Sequence, residues 1–173
     1  MSKKTRFLLA IALPLLILLG MTIKPQATVL FGQEILLETK AYDPTDLFRG
    51  DYVALNFAIS DVPKSKVDLS LDKVYNKNLY VSLKQEGKYF VVDQVSDVKP
   101  KQGVYLKGKF REGFNGFGQA GEAANYRVDY SLDKYFVEQG SGKELEQESI
   151  KGGLEGTVKV LGGYGVLTGI ARR

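Results

Sequence analysis

Three carboxylates, Asp43, Asp46 and Asp51, fall within nine residues, with Arg49 among them. Carboxylate oxygens at close spacing can hold Ca²⁺, and two of them facing a cleft can act as the acid and base of a glycosidase. The spacing does not match the D-x-D-x-D-G calcium loop, and helix capping explains two of the three without a ligand. Arg49 then pairs with Asp46 or Asp51 and holds the turn. A second pattern, Gly116-Phe-Gly118-Gln-Ala-Gly121, spells the dinucleotide fingerprint G-x-G-x-x-G. That fingerprint works because its last glycine opens a long helix whose N-terminus holds pyrophosphate. Only four residues separate it from the next expected strand, so a surface loop is the reading and no cofactor is expected.

The inventory closes off other chemistry. The 173 residues include no His and no Cys, which removes imidazole and thiolate catalysis as well as metal sites built on those ligands. Arg49-Gly50-Asp51-Tyr52-Val53 looks like a strand start in signal-peptidase-type proteases, which need a serine activated by lysine just beyond a membrane anchor. Between Lys24 and Tyr52 there is no serine. That catalytic reading fails there.

The same acidic segment is dense in signals for local structure. Asp43 suits a helix N-cap, Pro44 the first helical position, Asp46 the third, and Gly50 a left-handed stop. One capped helical turn is expected, then a strand over Tyr52–Ile59 with Val53, Leu55, Phe57 and Ile59 on one face. Gly50-Asp51-Tyr52-Val53-Ala54-Leu55-Asn56-Phe57 resembles the motif that names the GDYXXLXY family. Phe57 stands where the family has Tyr, so no role for that phenol hydroxyl carries over. The stretch from Tyr126 to Glu146 is similar to the family as well. The resemblance brings no biochemical activity with it. It implies a membrane-protein partner, since proteins of this kind accompany polytopic membrane proteins.

These residues must be positioned by the elements around them. Phe7–Ile23 is a run of 17 residues without a charge, preceded by Lys3, Lys4 and Arg6 and followed by Lys24. That length is at the short limit for a bilayer span of about 17–25 residues. A signal-peptidase site behind Ala27 would put Pro25 at −3, a poor fit, so an uncleaved anchor in the lipid bilayer is expected. Pro14 is tolerable within such a helix and would kink it. Three cations before the run against one after it predict a cytoplasmic N-terminus and an extracytoplasmic domain.

No acid precedes Glu34, so the four cations flanking the run carry the whole formal charge of +4. From Pro25 onward the chain is neutral. A nucleic-acid surface needs a clustered basic excess, and none is expected here.

Beyond the anchor the pattern is all-β with one short helix: a two-lobed sandwich or barrel-like domain over residues 25–173. Strands are expected at 35–41, 52–59, 79–83, 89–95, 104–110, 126–130, 135–137, 157–161 and 166–170. Gln85-Glu86-Gly87 and Gly162-Gly163-Tyr164-Gly165 would turn two hairpins. Residues 143–150 form the one soluble helix. Lobes over 25–110 and 125–173 would be joined by the glycine-rich loop 111–124. Phe114 and Phe117 in that loop suggest a docking tip for lipid or a partner protein, or else fold back onto the core.

The role that follows is a non-catalytic accessory or interaction domain at a membrane. The alternatives are an envelope hydrolase using an Asp/Glu pair, and a sensor binding a small ligand or cation at the Asp43–Tyr52 turn.

Overall fold

The computed structural model describes residues 2–41, 52–67, 78–111, 126–137 and 142–173. Helix α1 spans Lys3–Phe31 and is capped at its start by the Ser2 hydroxyl, which accepts the Thr5 N–H at 3.2 Å. It runs through both Pro14 and Pro25. It is long and apolar enough to cross a membrane, and its most apolar window is wholly unburied by the rest of the chain. The expected segment, Phe7 to Ile23, lies inside this longer helix. The boundary placed after residue 24 falls within it too, because residues 24–31 stay helical where they pack on the β domain.

The remaining elements are strands β1 (Gln33–Glu38), β2 (Tyr52–Ala54), β3 (Asp61–Val62), β4 (Asn78–Glu86), β5 (Tyr89–Ser96), β6 (Val104–Arg111), β7 (Tyr126–Asp129) and β8 (Lys134–Phe136). Helix α2 (Gly142–Ile150) and strands β9 (Leu154–Leu161) and β10 (Tyr164–Arg172) follow. The fold is therefore β-rich behind one long apolar helix. The strands form three sheets, ordered β1-β9-β10, β2-β8 and β3-β7-β6-β4-β5.

Both expected hairpins form. Glu86 pairs with Tyr89 across a Gly87-Lys88 turn, one residue later than the sequence reading, and Gly87 takes φ +63°. Leu161 pairs with Tyr164 across Gly162-Gly163, with φ +58° and +82°. Two successive positive φ values make the hairpin turn that only glycine-like residues enter freely.

The halves 25–110 and 125–173 do not each close on themselves. β1 pairs with β9 in register Gln33↔Val160, β2 with β8, and β3 with β7. Every sheet therefore draws strands from both sides of the glycine-rich segment. A single apolar cluster runs from Ile35 and Leu37 through Val81 and Leu106 to Val158 and Val160. The reason is combinatorial: β1 offers an alternating apolar face whose complement is carried by β9, and local sequence does not record which strand is which partner.

Candidate functional site

The motif strand is shorter than expected. Regular pairing ends at Ala54, and Ala58–Ser60 forms a 3₁₀ turn in place of a continuous strand to Ile59. The cause is a change of partner. The Leu55 N–H donates to the Asp133 carbonyl at 2.9 Å, beyond the end of β8. Two residues later Phe57 bridges to Thr39, beyond the end of β1. The segment thus passes from one sheet to another. Val53, Leu55, Phe57 and Ile59 are all buried, as their spacing implies.

Polar groups fix this passage. The Asn56 carbonyl accepts the Lys40 N–H at 2.7 Å, and its side-chain oxygen accepts from the Arg127 guanidinium at 3.1 Å. The buried Thr39 hydroxyl donates to the Leu154 carbonyl at 2.6 Å. The Tyr130 hydroxyl donates to the Ile59 carbonyl at 2.9 Å, and burial pushes this phenol well above its ordinary range. Phe57 presses its ring on the backbone of Gly156, where an added Cβ would lie 2.6 Å from the ring edge. Tyr52 is half-buried, with its ring 6.1 Å from Phe136 and 5.3 Å from the Lys134 amine. The motif's described residues join sheets. Asp43, Pro44, Asp46, Arg49, Gly50 and Asp51 lie outside the described residues, as do Phe114 and Phe117.

A second assembly stands at the far end of the β1-β9-β10 sheet, which no sequence pattern announced. Glu38 and Glu155 are directly opposed across β1 and β9. Glu155 accepts from the Lys88 amine at 2.7 Å and from the Tyr89 hydroxyl at 2.8 Å. Arg173 pairs with Glu38 at 2.6 Å and donates to the Thr39 carbonyl at 2.9 Å. The Lys88 and Tyr89 hydrogen bonds, with smaller help from Lys88 and Arg173 charges, hold the Glu155 carboxyl below its ordinary value. The Glu155 hydrogen bond raises Lys88 in turn. Two carboxylates facing each other are here offset by two cations. The residues come from four places in the chain, so spacing could not have revealed them.

Among the described residues no three or more Asp or Glu side chains converge to hold a metal ion. An open depression of about 430 Å³ is lined by Ser65, Lys66, Val67, Asp93 and Gln94. Its lysine is already engaged, since the Lys66 amine donates to the Val92 carbonyl.

The third feature is the junction of α1 with the domain. Thr28 is fully buried, and its hydroxyl donates back to the Lys24 carbonyl at 2.9 Å. The Lys24 amine lies 4.3 Å from the centre of the Tyr164 ring, in the hairpin joining β9 and β10. Gly32 ends the helix, its N–H bonded to the Thr28 carbonyl at 2.8 Å. A Cβ on Gly32 would lie 2.3 Å from that carbonyl oxygen and 3.1 Å from the Val160 nitrogen. β1 starts at the next residue, so helix and sheet meet with no linker.

In comparison with known proteins, a family model described as GDYXXLXY protein matches residues 14–170. No curated protein and no solved structure matches the chain.

Proposed function

The chain belongs to the GDYXXLXY family, and on that footing we propose that it is a non-catalytic, membrane-anchored accessory domain that binds a polytopic membrane protein. The observation that carries this reading is the helix–sheet junction. An apolar helix runs directly into a docked contact at Lys24, Thr28 and Gly32. A domain fixed to its anchor in this way presents one defined set of surfaces to neighbours in the bilayer. A flexible tether would leave that presentation to chance. The basic start of α1 favours a cytoplasmic N-terminus, with the β domain on the opposite side.

The test is co-purification of the full chain from native membranes in mild detergent, after cross-linking. A polytopic membrane protein retained in stoichiometric amount is the expected result. A chain that cross-links to nothing and migrates alone would overturn the proposal. If Phe114 and Phe117 form the docking tip, replacing both with serine should weaken capture by about 2 kcal/mol or more, as loss of aromatic anchors does.

A further inference from the structure

The lower end of the β domain carries apolar side chains that the fold leaves uncovered. Leu30 and Phe31, on the last turn of α1, are 69% and 76% exposed, and Leu161, at the β9–β10 turn, is 39% exposed. Tyr164 completes the same turn beside Lys24. From these positions we infer that the base of the domain is itself a lipid-binding surface, seated in the phospholipid headgroup layer around the anchor. The inference rests on α1 spanning the bilayer and is independent of any protein partner.

Lengths decide the placement. A hydrocarbon core of about 30 Å takes about 20 helical residues at ~1.5 Å each, which from Phe7 reaches Gln26. The headgroup layer adds roughly 5–7 Å on each side, or about three to five more residues, and so brings Leu30 and Phe31 to its outer part. α1 ends at Phe31 and β1 begins at Gln33, so no spacer is available to lift the domain clear. The β9–β10 turn reaches back along the helix as far as the Lys24 amine, which puts Leu161 and Tyr164 at the boundary between core and headgroups. Tyrosine suits that boundary, with its ring toward the chains and its hydroxyl toward water. Lys24 sits below its ideal level, and its long side chain reaches up to the tyrosine ring.

The occupant is lipid because the uncovered side chains continue the apolar surface of the anchor. No charged residue follows Lys24 in the helix to interrupt it.

The absence of native cysteine makes the test clean. Phe31→Cys, Leu161→Cys, Glu86→Cys and Leu15→Cys are each labelled with an environment-sensitive fluorophore. The full-length chains are then reconstituted in nanodiscs of equimolar phosphatidylcholine and phosphatidylglycerol. Probes at 31 and 161 should be quenched about twofold or more by lipid bearing a headgroup nitroxide, and shielded from iodide, as expected for interfacial positions. Glu86, at the opposite end of the domain beside the Lys88–Glu155 pair, should show the reverse.

If 31 and 161 are as open to iodide as 86, while Leu15 is quenched by mid-chain nitroxide, the anchor stands and the lipid-seated base is wrong. If they are shielded from both quenchers, a second copy covers them and the inference is equally overturned. If Leu15 is not quenched, the span fails and the inference with it. Leu30→Cys replaces Phe31→Cys should that variant not fold.

Discussion

Gly156 lies against the Phe57 ring on the inner face of β9, and the contact leaves no room for a methyl group. Gly156→Ala should destabilise the domain by roughly 1–3 kcal/mol, the usual cost of overpacking a core. Its melting temperature in detergent measures this. Phe57→Leu in the same chain should recover part of the loss, and the two changes should be clearly non-additive. Strictly additive effects would mean that the ring and the glycine are not in contact.

Glu155 makes a pH-dependent claim. Its carboxyl is held below the ordinary value of 4.5, so the charged form is favoured by folding. The stability this supplies is fully present above the unfolded value and is lost as pH falls from about 4.5 through the lowered folded value. Glu155→Gln should therefore melt lower than wild type at neutral pH. The gap should close as the pH falls below 4.5 and through the lowered folded value, where wild type too loses the charge. A gap that persists unchanged in acid would mean that packing, not charge, matters at this position. Its size will be small, since the Lys88 partner is solvent-exposed and screened.

At the scale of elements, the hairpins, the short helix and the burial face of the motif were legible because each rests on local signals. Gly87 and Gly162-Gly163 mark turns that need positive φ, and Val53, Leu55, Phe57 and Ile59 alternate. The motif strand stops early because Leu55 and Phe57 bond to different sheets, and alternation cannot report a change of partner. The continuation of α1 past Lys24 and Pro25 was hidden for a related reason. Local composition argued against helix there, and docking of Thr28 on the β9–β10 hairpin outweighs it. Glu38, Lys88, Tyr89, Glu155 and Arg173 meet only through tertiary pairing.

The junction makes its own prediction. Gly32→Val should cost about 1–3 kcal/mol, because its Cβ meets main-chain atoms that cannot swing aside. Unchanged melting of the detergent-solubilised chain would show that helix and sheet are less closely joined than described.

For the whole molecule, the strand order links both halves of the sequence in every sheet. Fragments 25–110 and 126–173, made separately, should each lack a cooperative thermal transition, since β1, β2 and β3 lose their partners in the first and β7 and β8 in the second, while β9 keeps only β10. A sharp melt from either fragment alone would contradict the shared core. Sidedness can be read on the intact protein. Ser2→Cys should be protected from a membrane-impermeant thiol reagent added outside intact cells with the outer envelope permeabilised, and Glu86→Cys should react. The opposite pattern would invert the topology.

The pairing of Gln33 with Val160 also sets a clock. β1 is the first strand to leave the anchor, and its partner is encoded 127 residues later. At a synthesis rate of about 5–20 residues per second, roughly 6–25 seconds pass between their appearances. Throughout that interval β1 waits with unpaired backbone edges, and so is open to pairing with the wrong strand. The nascent chain is thus most vulnerable at its earliest strand.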